Sequence, residues 1–187
     1  SVGGLRFGPD GKLYATLGDG ADFSVVDSRA LRAQNPDSLA GKVLRINTDG
    51  TAPTDNPFYN GNPNANRSKV YALGMRNMFR LNFHPTTGAL YGGDVGWSDW
   101  EEINLITAGA NYGWPCREGN ATTSYNCTPS SQATAPLYTY GHDAFGAGSI
   151  TVGAFPKNAA YPAQYDNTFF IGDYAQNWVK RVVVNAA

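Results

Sequence analysis

Leu5-Arg6-Phe7-Gly8-Pro9-Asp10-Gly11-Lys12-Leu13-Tyr14 alternates apolar and polar positions, turns at Pro-Asp-Gly and resumes as a strand that runs into Gly18-Asp19. That is the pattern of a β-hairpin. A second copy stands at Leu81-Asn82-Phe83-His84-Pro85-Thr86-Thr87-Gly88-Ala89-Leu90-Tyr91 and runs into Gly93-Asp94. A weaker third, Tyr165-Asp166-Asn167-Thr168-Phe169-Phe170-Ile171, runs into Gly172-Asp173. The Gly-Asp ends lie 75 and then 79 residues apart, a period that suits an elaborated four-stranded propeller blade.

Further strand candidates fall between the copies: Lys42–Asn47, Lys69–Leu73, Glu102–Ile106, Ser149–Phe155 and Trp178–Val184. Helix signals are confined to Asp27–Ala33 and a cap-like turn at Ser98–Glu102. The expectation is an all-β chain forming part of a β-propeller. Repeat-like units run near 1–75 and 76–155, with an incomplete one at 156–187. Closed propellers have roughly 4–8 blades, and 187 residues hold about two and a half to three blades at this period, so the remainder of the ring is expected to come from further chain.

Composition narrows the function. Lys+Arg 14 balances Asp+Glu 15, which disfavours nucleic acid and anionic membranes as partners. No apolar run approaches the roughly 20 residues of a membrane-spanning helix. The two cysteines, Cys116 and Cys127, fall in a Gly/Asn/Thr/Ser-rich stretch without a nearby His, which points to a local disulfide; two unrelated free thiols are the alternative. Sequons begin at Asn66, Asn120 and Asn126. Together these features favour a secreted or periplasmic protein.

The three Gly-Asp ends are the first candidates for chemistry, because loops at one end of a propeller gather groups from different blades. Asp19, Asp94 and Asp173 either share that face or each cap their own turn. Ala72-Leu73-Gly74-Met75-Arg76-Asn77-Met78-Phe79-Arg80 follows a strand with two guanidiniums and an amide, suited to carboxylates or to a quinone carrying several; solvated arginines are the bland alternative. The acidic, Trp-containing segment Asp94–Glu102 offers oxygens for calcium, without EF-hand spacing. His84 reads as a turn residue. His142, among aromatics, is the better candidate for lining a site, a hydrogen-bonded structural His being the alternative. There is no P-loop, dinucleotide fingerprint, CxxC pair or serine-hydrolase signature.

In order along the chain, these segments resemble the glucose/sorbosone dehydrogenase family of soluble quinoproteins and aldose sugar dehydrogenases. The likeness runs through Gly4–Tyr14 with Gly18-Asp19-Gly20, Leu39–Asn47 with Asp49-Gly50-Thr51, and Asp55-Asn56-Pro57-Phe58. It continues through Ala72–Arg80, Gly93–Gly96 with Glu101–Ile106, Gly109–Pro115, Ser149–Thr151 and Phe170–Tyr174. The resemblance implies a six-bladed propeller that uses pyrroloquinoline quinone (PQQ) and calcium to oxidise the C1 hydroxyl of an aldose sugar or oligosaccharide to a lactone, passing electrons to an external acceptor. It implies that Arg76 and Asn77 hold the quinone, that the carbonyls of Gly96 and Trp97 bind the cofactor calcium, and that Asp19 orients the catalytic base. His142 falls near a cofactor-lining aromatic, and Glu118 resembles the acidic residue of a second, structural calcium site.

The departures bear on activity. The family's basic His stands just before the Gly-Gly-Leu-Arg-Phe-Gly-Pro-Asp segment, one residue ahead of Ser1, and its later quinone-covering basic residues fall beyond Ala187. Met78 replaces a Pro, and Phe79 and Val95 stand where quinoproteins often carry polar groups. These 187 residues alone are therefore expected to be inactive. The competing reading is a non-catalytic propeller binding module of the hedgehog-interacting type, favoured by Phe79 and Val95 and opposed by Asp19, Arg76 and Asn77.

Overall fold

A computed structural model describes residues 2–128, 132–156 and 161–184. The first repeat is a four-stranded antiparallel meander of β1 (Val2–Phe7), β2 (Leu13–Leu17), β3 (Lys42–Ile46) and β4 (Val70–Leu73), ordered as in the sequence. The Pro-Asp-Gly turn closes β1 on β2, with Gly11 at φ 73° as a turn of this hand requires. The second sheet begins with β5 (Met78–Phe83), β6 (Leu90–Asp94) and β7 (Trp100–Ile106). A short hairpin follows, β8 (Arg117–Glu118) with β9 (Ala121–Thr122), before β10 (Tyr138–Gly141) returns to pair with β7. The third sheet holds β11 (Ile150–Val152), β12 (Thr168–Asp173) and β13 (Trp178–Val183), with β12 in the middle. The architecture is thus mostly β, in successive antiparallel sheets as the repeat implies.

The first two hairpins form as the sequence pattern requires, but the third does not. Thr168–Asp173 is a strand, yet its partner on that side is β11, with Ile150 opposite Asp173 and Val152 opposite Ile171. A connection through residues 153–167 replaces the tight turn because Tyr165-Asp166 closes a 3-10 turn, Ala163–Tyr165, and not an extended strand. Gly93-Asp94 and Gly172-Asp173 still end the second strand of their sheets, and Gly18-Asp19 follows directly on β2. Asp27–Ala33 is realised as a 3-10 helix, Ser28–Gln34, whose N-cap Asp27 accepts a bond from the Arg29 amide. Ser98–Glu102 is not helical, and β7 begins at Trp100. A four-residue helix, Asn66–Lys69, precedes β4.

The sheets pack face to face through apolar residues on alternate positions. Tyr14, Val43, Ala72, Met78, Leu81 and Leu90 join the first two sheets, and Tyr91, Ile103, Ile150, Val152, Phe169 and Ile171 join the second to the third. Met78, at the position where the family pattern has Pro, is fully buried between β5 and its neighbours. His84 is buried in the β5–β6 loop, where Nδ1 accepts bonds from the Thr86 and Thr87 amides, as a turn residue should.

One buried group is unexpected. Lys42 is fully buried, and its Nζ donates to the carbonyl oxygens of Arg32, Ala33 and Ala40 at 2.9, 2.8 and 2.7 Å. Burial pushes its pKa down to about 7. Three acceptors call for three N–H donors, and only the ammonium has three. The lysine thereby pins the C-terminal end of the 3-10 helix to β3.

Candidate functional site

The ends of β2 and β6 meet over Arg76-Asn77. Gly74 ends β4 at φ 79°, and a Cβ there would lie 2.2 Å from Asn111 Oδ1 and 2.8 Å from the Gly113 nitrogen, so only glycine lets the chain pass. The Arg76 amide donates to Asp94 Oδ2 at 3.0 Å and the Asn77 amide to Asp94 Oδ1 at 2.6 Å. On the other side the Arg76 carbonyl accepts from the Asp19 amide at 2.8 Å, and the Asn77 carbonyl from the Val95 amide at 3.1 Å. The dipeptide is clamped between two Gly-Asp ends. Its guanidinium donates from Nη1 to the Val95 carbonyl at 2.9 Å and lies 5.9 Å from the Trp114 ring centroid.

Asp19 is buried. Its Oδ1 accepts from the Ala21 amide at 3.0 Å, and its Oδ2 accepts from Trp114 Nε1 at 2.8 Å. The 3-10 helix supports both ends of this contact: Arg32 donates to the Asp19 and Gly20 carbonyls, while Gln34 donates to the Trp114 carbonyl at 2.6 Å and exchanges side-chain bonds with Asn111. Asp173 repeats the logic in the third sheet. Its carboxylate accepts from the Ser149 amide just before β11, from Gln176 N and from Tyr140 Oη at 2.6 Å. Burial acts to raise its pKa, but these bonds outweigh it and hold the group below the ordinary range. Asp19 and Asp173 thus cap their own turns, Asp94 and Asp173 tie the start of a first strand to the end of the second, and Asp19 and Asp94 meet at Arg76 whereas Asp173 bonds to Tyr140.

Gly96 and Trp97 lead the loop between β6 and β7. A Cβ on Gly96 would sit 1.6 Å from the Trp100 carbonyl oxygen, which explains a glycine there. Glu118 Oε1 accepts from the amides of Trp97, Ser98, Asp99 and Trp100 at 2.6, 2.9, 3.1 and 3.2 Å. One buried carboxyl oxygen thus organises the whole loop. Among the described residues no group of three or more His, Cys, Asp or Glu side chains is placed to hold a metal ion. His142 stands apart from Arg76, its Nε2 lying 2.9 Å from Glu101 Oε1, which also accepts from the Gly96 amide at 3.3 Å. The other His142 nitrogen, Nδ1, is buried without a partner among the described residues.

Beneath the loop, a small cavity of about 10 Å³ is bordered by Arg76, Asp94, Glu102, Trp114, Arg117 and Glu118, room for a single water. Burial, reinforced by the charge of Glu102, raises Asp94 well above the ordinary carboxyl range against the pull of the Arg76 and Asn77 amides. Burial pushes Glu102 up to about 7, with Glu118 and Glu101 adding to it, although Asn104 Nδ2 and the Gly119 amide donate to its two oxygens. Glu101 is raised by burial too. The floor of the site thus holds three carboxyl groups whose burial favours the protonated form, Glu102 among them at about 7.

Cys116 and Cys127 are bonded to each other, with Cα atoms 5.6 Å apart, and close the loop that carries Glu118. Reducing this bond, or replacing both cysteines by Ser, is expected to lower the unfolding free energy by about 3 kcal/mol, the chain-entropy value for so short a loop. Denaturant titration with and without reductant measures it. The sequence singled out Asp19, Arg76, Asn77, Gly96, Trp97 and Glu118, and the fold brings these into one connected region. Gln34 had no motif to mark it, and Trp114 and Lys42 fell within family-like segments with no role of their own; the bonds of Gln34 and Trp114 span long sequence separations, and those of Lys42 depend on the 3-10 helix that closes over it.

The chain spans about half the length of the solved structures it matches and about a quarter of the curated relatives. It superposes on the PQQ-bound aldose sugar dehydrogenase of Streptomyces coelicolor with a TM-score of 0.71 and 26% identity, covering 99% of this chain and 46% of that one. The apo aldose sugar dehydrogenase of Escherichia coli gives 0.75 and 26%, covering 97% and 50%. The HIPL2 protein of Arabidopsis thaliana is 33% identical over 92% of this chain and 28% of its own length, and quinoprotein glucose dehydrogenase B of Acinetobacter calcoaceticus is 38% identical over 60% and 25%. The profile of the family described as Glucose / Sorbosone dehydrogenase matches residues 2–187, so with the repeated Gly-Asp clamps and the propeller sheets in place, the chain belongs to the glucose/sorbosone dehydrogenase family.

Proposed function

We propose that these residues form part of a secreted or periplasmic quinoprotein that oxidises the C1 hydroxyl of aldoses to lactones, with PQQ and calcium as cofactors and an external electron acceptor. The observation that carries this reading is the fixed Arg76-Asn77 dipeptide, held by Asp94 through both amides and by Asp19 through the Arg76 carbonyl. When bound, the quinone supplies a two-electron acceptor that amino-acid side chains lack.

The donor set fits such a group. Arg76 is oriented by the Val95 carbonyl and the Trp114 ring, which leaves a planar cation suited to bidentate contact with a carboxylate. Asn77 adds an amide beside it. The carbonyls of Gly96 and Trp97 would offer two of the six to eight oxygens that calcium takes. Glu118 holds their loop in shape, and its remaining oxygen is the atom that a structural calcium would use. Asp19, steadied by Trp114 Nε1, is the carboxyl that would orient a base supplied from outside residues 1–187. His142, bonded to Glu101, is the residue that the family resemblance puts near a cofactor-lining aromatic. The Cys116–Cys127 bond and exposed Asn66, Asn120 and Asn126 support an oxidising compartment, where glycans at those positions are compatible with the fold.

These 187 residues alone are expected to show no sugar-dependent dye reduction, whereas a protein that carries the rest of the ring is expected to reduce dye once PQQ and calcium are added. Failure of that longer protein to bind the quinone, or to reduce dye with any aldose, would sink the reading. A non-catalytic binding module is the second reading, and Phe79 favours it. This side chain is 45% exposed, and the Arg80 guanidinium lies 5.5 Å from its ring. Quinone binding by the longer protein separates the two.

A further inference from the structure

The segments at the same end of the sheets as Arg76 share one composition. Residues 19–28 begin at the first Gly-Asp end, 95–101 follow the second and 173–177 begin at the third, while 141–149 lead into β11, whose Ile150 lies opposite Asp173. None of the four contains Lys or Arg, although the whole chain balances 14 basic against 15 acidic residues. Asp27 is paired with Arg29 at 2.6 Å, but exposed Asp22, Asp99 and Asp143 make no ion pair among the described residues. A chain of balanced charge thus carries an acidic rim here.

The rim is continuous, and it is apolar between its charges. Trp97 Nε1 donates to the Phe23 carbonyl at 2.8 Å, the His142 amide to the Asp99 carbonyl at 2.9 Å, and Gln176 Nε2 to the Gly141 and Ala147 carbonyls at 3.0 and 2.9 Å. The four segments are therefore bonded in series. Phe23, Phe145 and Tyr174 project from them, 77%, 93% and 85% exposed. Phe145 stands at the tip of a built turn, where Asp143 Oδ1 accepts from the Phe145 and Ala147 amides at 2.8 and 2.9 Å. Several aromatics held in water on one rim mark a contact surface.

Charge selects the partner. The aspartates repel an anionic membrane or a nucleic acid, and two copies of this chain docked rim to rim would bring like charges together. A protein with cationic side chains around an apolar centre fits. Because the rim borders the Arg76 site, a partner seated on it stands beside the place where the proposed reaction releases electrons.

We propose that this rim docks a small basic electron-carrier protein, a haem protein with cationic side chains around an apolar haem edge. The basic charge of the partner follows from the rim itself, and its role as electron carrier rests on the proposed function. Oxidation of one aldose to its lactone releases two electrons and two protons; two carriers in turn take one electron each, ferric iron becoming ferrous, and the protons pass to water.

The test uses the protein that carries the complete ring, first without quinone. Titration with a basic c-type cytochrome at about 20 mM salt is expected to give a dissociation constant on the order of 10 µM, weakened at least about tenfold at about 300 mM salt, as for a steered, transient contact. An acidic b-type cytochrome, and ribonuclease A as a basic protein without a haem edge, should each bind at least about tenfold more weakly. Phe145→Ser removes an aromatic from a turn tip and Asp22→Lys reverses an exposed charge, and each is expected to weaken cytochrome binding about tenfold. With PQQ and calcium added, both variants should reduce a small dye as the parent does and reduce the cytochrome more slowly. The docking site is overturned if the parent does not bind the basic cytochrome, if ribonuclease A or the acidic cytochrome binds equally well, or if both variants bind like the parent. Because docking is read without quinone, a protein that binds the cytochrome but takes up no PQQ would sink the quinone reading alone.

Discussion

Lys42→Met is expected to lower the unfolding free energy by about 2–4 kcal/mol, among the largest effects of any single substitution in the chain. The ammonium is fully buried and donates to three carbonyl oxygens. Methionine fills a similar volume, but it leaves those acceptors with fewer partners in a site closed to water. Part of the loss is offset because a charge no longer has to be buried. The Arg32 and Ala33 carbonyls keep bonds from the Asn35 and Gly74 amides, which limits the damage, while the Ala40 carbonyl has no second donor among the described residues. The consequence reaches the site. The same 3-10 helix carries Arg32, which donates to the Asp19 carbonyl, and Gln34, which donates to the Trp114 carbonyl. The variant should therefore lose order at Asp19 as well as stability. Urea titration reads the first effect, and hydrogen exchange at the Asp19 and Ala21 amides reads the second. A loss below about 1 kcal/mol would mean that the carbonyls find other donors.

The second large effect is a pH dependence with an unusual sign for carboxyl groups. Glu102 is raised to about 7 by burial and by the neighbouring charges of Glu118 and Glu101. From about pH 4.5 to 7 the folded chain keeps a proton that the unfolded chain has released. Stability from this group is fully present below that window and falls as pH rises through it, by about 3 kcal/mol in all at about 1.4 kcal/mol per unit. Asp94, raised by burial and by Glu102, pulls in the same direction. Lys42, lowered to about 7, acts only from about pH 7 upward and with the opposite sign, because there the unfolded chain keeps a proton that the folded chain has released.

Glu102→Gln should flatten the profile and make the chain more stable than the parent at pH 8 by about 2–3 kcal/mol. The glutamine oxygen can still accept from the Gly119 amide. Its amide N–H faces Asn104, which in the parent donates from Nδ2 to Glu102 and must turn its amide over to present Oδ1, an atom without a partner among the described residues. Denaturant titrations at pH 5, 6, 7 and 8 provide the measurement. A parent whose stability rises across that range would show that these carboxyls ionise normally.

Local chemistry explains which parts of this structure were legible in the sequence. Pro-Asp-Gly and Pro-Thr-Thr-Gly announce their hairpins because the turn sits in the residues themselves, and the Gly-Asp ends mark the second strands because the spacing repeats. Cys116 and Cys127 pair across a short loop, as their surroundings implied. The third hairpin misled because a hydrophobic run, Thr168–Ile171, is equally compatible with a partner 15 residues upstream. β10 was not marked because Tyr138–Gly141 reaches β7 only after a 31-residue excursion through β8 and β9, residues 107 to 137. The candidate site was legible in part. Arg76-Asn77 stands out by residue type, but what makes it rigid is Asp94 18 residues on and Asp19 from another sheet. Glu118 drew notice as an acidic residue, whereas its work as acceptor for four loop amides depends on a fold that brings β8 beneath the Trp97–Trp100 loop. Lys42 reads as a polar end to a strand, and its burial follows from the helix that closes over it.

In the proposed function Arg76-Asn77, clamped by Asp94, is one wall of a quinone site. That assignment is tested most directly by calorimetric titration of PQQ, with calcium present, into the protein that carries the complete ring, beside its Arg76→Gln and Asp94→Asn variants. The parent should bind one equivalent. Arg76→Gln should bind at least about thirtyfold more weakly, as expected for loss of a charge-assisted pair, and Asp94→Asn should also bind more weakly while remaining folded. Equal affinity in all three proteins, or no binding by the parent, would rule out a quinone site at Arg76-Asn77.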